Sequence, residues 1–273
     1  MSKRLQDTAW RALVLLAMGL SLVFLVAPLA VTALLSFDSR TFLGPLPPPS
    51  LSFQWYERFF SDPVLLQGLK TSLLLAALVT TVATAAGVAI SIVLTSFRFR
   101  GRELILSFLL SPLVVPPVVI GFGLLLYLSS IGAVDGFVRL LCGHLILAIP
   151  YVVRASVTSL AAVNPIYADA AMSLGASERA AFWTVTLPLA RSGIAAGAIF
   201  SFAVSMDDVA VSMFLTDSRT YTLPVALVSA MRANFDLTIA AATVVFMAIV
   251  AVLMLVIDRT TGITNAFRST HQR

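Results

Sequence analysis

The chain has 273 residues, of which 59% are hydrophobic and only 11% are charged, and its mean hydropathy is +0.98. A soluble domain carries roughly a quarter charged residues, so this composition excludes a water-covered globular protein and predicts an integral membrane protein. The net charge of +5 does not indicate nucleic-acid binding, because the basic residues lie between apolar runs and do not cluster with aromatic residues.

Six stretches are long and apolar enough to cross the hydrocarbon core, which takes about 20 residues of helix. They predict an all-α integral membrane protein with six transmembrane helices in one domain over residues 1–273. The first stretch is too long for the core of a signal peptide, so we expect an uncleaved helix. The predicted spans are residues 12–36, 69–96, 104–129, 140–160, 193–215 and 238–257.

The third predicted span contains Pro112, Pro116 and Pro117. A proline inside a helix removes a hydrogen bond and clashes with the preceding turn. A membrane tolerates the resulting break only where protein or a water-lined cavity meets the freed backbone groups. This span is therefore expected to be kinked or broken.

The orientation follows from the Lys and Arg residues, which favour the cytoplasmic side. With the N-terminus inside, twelve of the 18 Lys and Arg residues fall in inside segments and six in outside segments. Both termini are therefore predicted to be cytoplasmic.

The longest outer segment, residues 37–68, carries aromatic side chains at the spacing of one helix face: Trp55, Tyr56, Phe59 and Phe60. Two interpretations are open. The helix lies at the outer membrane interface with its rings at headgroup level, or it is a lid that packs on the helical core.

The inner segment, residues 161–191, is too polar to span and carries signals for two short helices. Asn164 is a helix cap followed by a proline at the first helical position. Gly175 suits the left-handed residue that ends a helix, and Ser177 can cap a second helix. Leu187-Pro188 is expected to end that helix. The pair forms either a docking element for a soluble partner or a loop folded back on its own bundle.

The same segment resembles a known family. Asp169-Ala170-Ala171, Gly175 six positions after Asp169, and Leu187-Pro188 match the "EAA" loop of permease subunits of type I binding-protein-dependent ABC importers. The sequence departs from the family at Asp169, where glutamate is most common, so a contact of that carboxylate can differ. Further similarity, at residues 97–102, 112–117 and 205–208, is to the spermidine/putrescine-type branch.

The resemblance implies a function and partners. The loop, including Phe182, would dock on an ATPase subunit. The chain would form half of a pore with a second permease, identical or different, in a bacterial inner membrane, fed by an extracytoplasmic binding protein. Lys3 and Lys70 are the only lysines and neither lies in a phosphate-binding loop. No cofactor is therefore expected in this chain, and ATP and Mg²⁺ would bind the separate ATPase pair.

Asp207 and Asp208 lie inside an apolar run, where a carboxylate costs a few kcal/mol unless it faces the bundle interior or a water-filled path. One hypothesis is that they line the path of a cation, such as putrescine, spermidine or another organic cation. The other is that the helix breaks at Ser205-Met206 and the acids cap its continuation, and the two are compatible. Asp135, in a short outer turn, is a further candidate for the path, although a solvated turn residue is the simpler interpretation.

Histidine and cysteine are too scarce for a metal site, with one cysteine, Cys142, and two histidines, His144 and His271. His144 is expected to be a hydrogen-bonded core residue rather than a proton relay. Other function classes remain: an importer of phosphonate, sulfate, iron or an opine-like compound, or an ion-coupled secondary transporter. A membrane enzyme is disfavoured because no nucleophile–base set is visible.

Overall fold

The computed structural model describes residues 3–42, 44–233 and 235–261, so His271 lies outside the described residues. Within these ranges the regular structure is helical, apart from one isolated antiparallel bridge between Asp38 and Leu51. The helices are α1 (Lys3–Leu35), α2 (Gln54–Ser61), α3 (Pro63–Ser96), α4 (Arg102–Leu110), α5 (Pro117–Ser130), α6 (Gly136–Ala162), α7 (Ile166–Ser173), α8 (Glu178–Ala181), α9 (Leu187–Asp207), α10 (Ser212–Leu215), α11 (Leu223–Ala233) and α12 (Thr238–Thr261).

Among the described residues, five continuous helical stretches are long and apolar enough to cross a membrane, and a bent pair, α4 with α5, supplies a sixth span. This confirms the predicted all-α architecture. The fifth span ends at Asp207, short of the predicted residue 215, whereas other spans extend beyond their predicted bounds. The clearest case is α3, which begins at Pro63 instead of residue 69 and shortens the outer segment accordingly.

The expected break in the third span lies at its prolines. After α4, residues Ser111–Leu113 form a single 3₁₀ turn, and α5 starts at Pro117 after an extended Pro116. The two helices meet at an angle of 100°. Because each proline lacks an N–H and fixes its own φ, this angle is built by the local sequence.

By contacts, the described residues divide into two compact units, one within residues 3–63 and 230–247 and the other within residues 64–229 and 248–261. In the larger unit α6 runs between α3 and α9. A Cβ on Gly87 of α3 would lie 2.8 Å from the Val152 Cβ, and a Cβ on Gly197 of α9 would lie 3.0 Å from the Val152 Cα. The two glycines therefore let three helices pack closely, as small residues do in membrane bundles.

The smaller unit has a core around Trp55, which packs with Leu237 and Ala241 and donates its indole N–H to the Asp38 carbonyl oxygen at 2.6 Å. Phe59, one turn later in α2, is also buried, whereas Phe60 is exposed. The rings of α2 thus do not share one exposed face. The prediction of a packed lid therefore fits α2 better than that of an interfacial helix. Its aromatic residues lie on two sides of the helix, and two of them, Trp55 and Phe59, are buried.

Candidate functional site

The long helix α9 stops inside the apolar segment, at Asp207. Asp208 has an extended backbone, with φ −67° and ψ 124°, and a short helix, α10, starts at Ser212. The predicted break at Ser205-Met206 is therefore two residues too early. The helix continues through Met206, which is buried, and ends where a side chain can cap the next turn.

Asp208 is that cap. Its Oδ1 accepts a hydrogen bond from the Val211 N–H at 3.3 Å, and its Oδ2 accepts from the N–H and the Oγ of Ser212 at 2.8 and 2.9 Å. The side chain is only 6% exposed. The capping hypothesis thus describes Asp208, and it does not describe Asp207, whose side chain is exposed.

His144, on α6, is buried against both sides of the break. Its Nδ1 lies 2.9 Å from the Ser205 Oγ, its Nε2 lies 2.9 Å from the Ser212 Oγ, and the same Nε2 lies 3.8 Å from the Asp208 Oδ2. A hydrogen-bonded core histidine was expected, and this is confirmed. The partners could not be predicted, because they lie 61 and 68 positions away in the sequence.

A cavity of about 420 Å³ opens beside the break. The break in the third span forms one side of it, and α6 and the end of α9 form the other. Its lining residues are Pro112, Leu113, Val115, Pro117, Leu147, Tyr151, Val204, Asp207, Asp208, Val209 and Ala210. The two broken helices therefore meet around one partly polar cavity within an apolar bundle.

Tyr151 is the aromatic lining residue, and sequence reasoning missed it. It lies seven positions after His144, two helical turns along α6, and its ring stacks on Phe200 of α9 with centroids 6.2 Å apart. An aromatic face beside a carboxylate is a common way to bind an ammonium group. Helical spacing from His144 could have suggested it, but only once α6 was known to border the cavity.

The outer aspartate Asp135 does not line this cavity. Its side chain caps α6 by accepting from the Val138 N–H at 2.9 Å. Nearby, Asp217 accepts from the N–H groups of Arg219, Thr220 and Gly136. These backbone donors, that of Arg219 above all, hold the pKa of Asp217 below its usual value. The structure thus favours the interpretation of Asp135 as a turn residue, which caps a helix, over a place on the path.

The inner loop has the local geometry that its sequence predicts. Asn164 Oδ1 accepts from the Ile166 N–H, and Ser177 Oγ accepts from the Ala180 N–H at the start of α8. Gly175 has φ +95°. Its N–H donates to Met172, and the next N–H, of Ala176, donates to Ala171. This pair of bonds is the Schellman ending of α7.

Leu187-Pro188 does not end the second helix, contrary to the prediction. Residues Phe182–Thr186 form a π turn in which the Leu187 N–H donates to the Phe182 carbonyl oxygen, and α9 follows directly. A proline clashes with the carbonyl oxygen four residues earlier. The wide turn just before Pro188 moves that carbonyl away, so the helix passes into the membrane span.

The remaining loop residues divide between an exposed and a covered side. Asp169 and Ala170 are exposed, Ala171 is half-buried, and no residue of α7 is buried. The Leu174 side chain is 90% exposed. Phe182, by contrast, lines a cleft of about 350 Å³ under the loop, next to the C-terminal ends of α3 and α6. The loop thus exposes the face of α7 that carries Asp169 and Ala170, whereas Ala168 and Met172 of α7 line the same cleft as Phe182.

These features define a class of protein: a multi-pass permease with broken helices around a cavity and an exposed loop between α6 and α9. Residues 84–263 match the model of the family described as binding-protein-dependent transport system inner membrane components. The chain belongs to this family, and it has the type I ABC importer permease fold. It is a transport subunit of an importer.

Particular relatives differ in the solutes they are named for. The chain is 29% identical to the spermidine/putrescine transport system permease protein PotC of Escherichia coli strain K12, over 89% of this chain and 93% of that protein. It is 31% identical to a probable molybdenum ABC transporter permease of Haloferax volcanii, over 93% of this chain and 91% of that protein.

Among solved structures, a permease chain of the bacterial alginate ABC transporter in complex with its alginate-bound periplasmic protein superposes with a TM-score of 0.74. The sequence identity is 14%, and the match covers 94% of each of the two chains. At this identity the likeness concerns the fold.

Proposed function

We propose that this chain forms half of the translocation path of an ATP-driven importer for a small organic cation, a polyamine such as putrescine or spermidine. The observation that carries the proposal is the exposed carboxylate of Asp207 in the cavity between the two broken helices. A carboxylate in an apolar bundle is costly unless it meets water or a cation. Similarity to a spermidine/putrescine permease over most of both chains supports the same substrate class.

The cavity suits a cation better than an anion. Its described lining residues include two aspartates and no lysine or arginine. Tyr151 adds an aromatic face that attracts an ammonium group. The apolar lining of prolines, valines and leucines suits the methylene chain between the charges of a polyamine.

A second candidate substrate is an oxyanion, because one relative is named as a molybdenum permease. An oxyanion entering this cavity would meet the charge of Asp207 without a basic partner among the lining residues. The polyamine is therefore the better supported substrate, and the oxyanion is the alternative outcome of the uptake test.

The proposal also includes the ATPase that drives import and the other subunits of the importer. The exposed face of α7, with Asp169 and Ala170, and Leu174 directly after it would dock on one of two separate ATPase subunits, which bind ATP and Mg²⁺. A second permease, the same chain or another, completes the path, and an extracytoplasmic binding protein delivers the solute. This arrangement requires the inner loop and both termini to be cytoplasmic, as the distribution of Lys and Arg predicts.

The direct test is uptake of radiolabelled spermidine by cells that express the chain with its partner subunits. Asp207→Asn keeps the side-chain size and removes the charge, so uptake should fall by about tenfold or more, as expected when an ionic contact worth about 1.5–3 kcal/mol is lost. Asp135→Asn is the matched control, because it removes one charge at a helix cap that Asn serves equally well. Wild-type uptake in Asp207→Asn would remove this carboxylate from the path.

A further inference from the structure

His144 joins two chain segments that the helix break separates. Ser205 lies in the last turn of α9 and Ser212 starts α10, and the two ring nitrogens of His144 contact one serine each. The ring is fully buried. A single side chain on α6 therefore bridges the break, and its two contacts fix the ends of α9 and α10 relative to each other.

The direction of the hydrogen bonds on the Nε2 side of this cluster follows from Asp208. Both of its carboxylate oxygens accept backbone N–H groups, so Asp208 acts as an acceptor. The Ser212 hydroxyl donates its only proton to Asp208 Oδ2. It can then only accept from His144 Nε2, which must carry a proton. In the neutral ring Nδ1 is the acceptor, and Ser205 donates to it.

The two adjacent aspartates consequently have different environments. Asp208 accepts three hydrogen bonds at the cap and terminates the chain of bonds Ser205–His144–Ser212–Asp208. Asp207 is exposed at the cavity. A charge-assisted network of this kind is stronger than isolated neutral bonds, so the carboxylate of Asp208 is engaged at the cap although the residue also lines the cavity.

We propose that His144 is a positioning residue that, as its Nε2–H tautomer, holds the α9–α10 break and confines Asp208 to the cap, which leaves Asp207 as the carboxylate for the solute. The assignment of Asp207 rests on the function proposed above, whereas the tautomer and the bridge do not depend on the substrate. The two parts can therefore fail separately.

The tautomer is measured by ¹⁵N NMR on the histidine-labelled assembly in lipid nanodiscs. His271→Gln removes the other histidine of this chain, and unlabelled partner subunits keep the spectrum to one ring. The expected result is a neutral ring with a protonated Nε2 and a bare Nδ1. A ring protonated at Nδ1 and bare at Nε2 would overturn the proposal whatever the substrate is.

A matched pair of amides tests the bridge. The amide of His144→Gln reaches the position of Nε2 and can still donate to Ser212, whereas that of His144→Asn reaches only the position of Nδ1. Spermidine uptake should fall by about tenfold in His144→Asn, as loss of a buried hydrogen bond predicts, and by less than about threefold in His144→Gln. Equal losses in both variants would contradict a role through Ser212.

Double-mutant cycles on thermal stability separate this inference from the choice of substrate. His144→Asn, which lacks the donor to Ser212, and Asp208→Asn should couple, because both change one network, while His144→Asn and Asp207→Asn should be additive. The cycles need no solute, so they remain informative if the system imports no polyamine. Additivity with Asp208→Asn, or coupling with Asp207→Asn, would overturn the division between the two acids.

Discussion

At the residue scale, neighbouring acids have opposite surroundings. Asp207 and Asp208 are identical side chains one position apart, and the hydrophobic pattern of the sequence does not distinguish them. The end of α9 separates them, because Asp208 takes an extended backbone and turns its carboxylate onto the next turn. The charge that remains at the cavity is therefore that of Asp207.

A second acid, Asp38 in the outer segment, gives a pH-dependent prediction. The hydrogen bonds and charge of Arg40 hold the pKa of Asp38 below its ordinary value of 3.8. Because the folded pKa is the lower one, the stabilisation is complete above about pH 4 and is lost as the pH falls through the folded pKa. Thermal unfolding of the detergent-solubilised protein should therefore shift to lower temperature with acid.

Asp38→Asn is the variant that isolates this contribution, because it cannot titrate. Asp217 also has a lowered pKa and contributes in the same direction in both proteins. The acid-induced loss of melting temperature should thus be smaller in Asp38→Asn than in the wild type. Identical pH profiles would show that the Arg40 contact does not stabilise the fold.

At the element scale, the sequence predicted structure well where the signal is local. The Asn164 and Ser177 caps, the left-handed Gly175 and the broken proline span each depend on a few consecutive residues, and each lies where it was predicted. The π turn before Pro188 was missed, because proline normally ends a helix and nothing in the local sequence indicates a widened turn.

The parts of the site that sequence reasoning did not find depend on distant contacts. The pairing of His144 with Ser205 and Ser212, and the place of Tyr151 at the cavity, follow from the packing of α6 against α9. Hydrophobic periodicity cannot supply that packing in a chain whose helices are apolar on nearly every side. The same limit explains why the rings of α2 were assigned to one face.

Gly175 carries the prediction for the inner loop. A Cβ there would meet no atom within 4 Å, so Gly175→Val acts only through the left-handed backbone and should cost roughly 1–2 kcal/mol locally. Membrane insertion should be normal, while spermidine uptake and solute-stimulated ATP hydrolysis fall. Gly175→Asn, which tolerates this conformation, is the control. Full transport in the valine variant with the ATPase still bound would contradict a docking role.

At the scale of the whole molecule, the orientation in the membrane is the prediction on which the coupling proposal depends. Single cysteines are introduced in a Cys142→Ser background and labelled with a membrane-impermeant reagent in intact cells. Positions 179 and 219 are both exposed, so their accessibility reports the side of the membrane. Position 219 should react and position 179 only after permeabilisation. Labelling of position 179 in intact cells would place the loop outside, away from any ATPase.

We propose that this permease, with ATPase and binding-protein partners, imports a polyamine at the expense of ATP. The most direct measurement is spermidine accumulation in proteoliposomes that contain the complete assembly, with the binding protein outside and ATP and Mg²⁺ enclosed. We expect spermidine accumulation that requires ATP hydrolysis, and no accumulation of molybdate. Molybdate accumulation without spermidine, or spermidine uptake driven by a proton or sodium gradient without ATP, would contradict it.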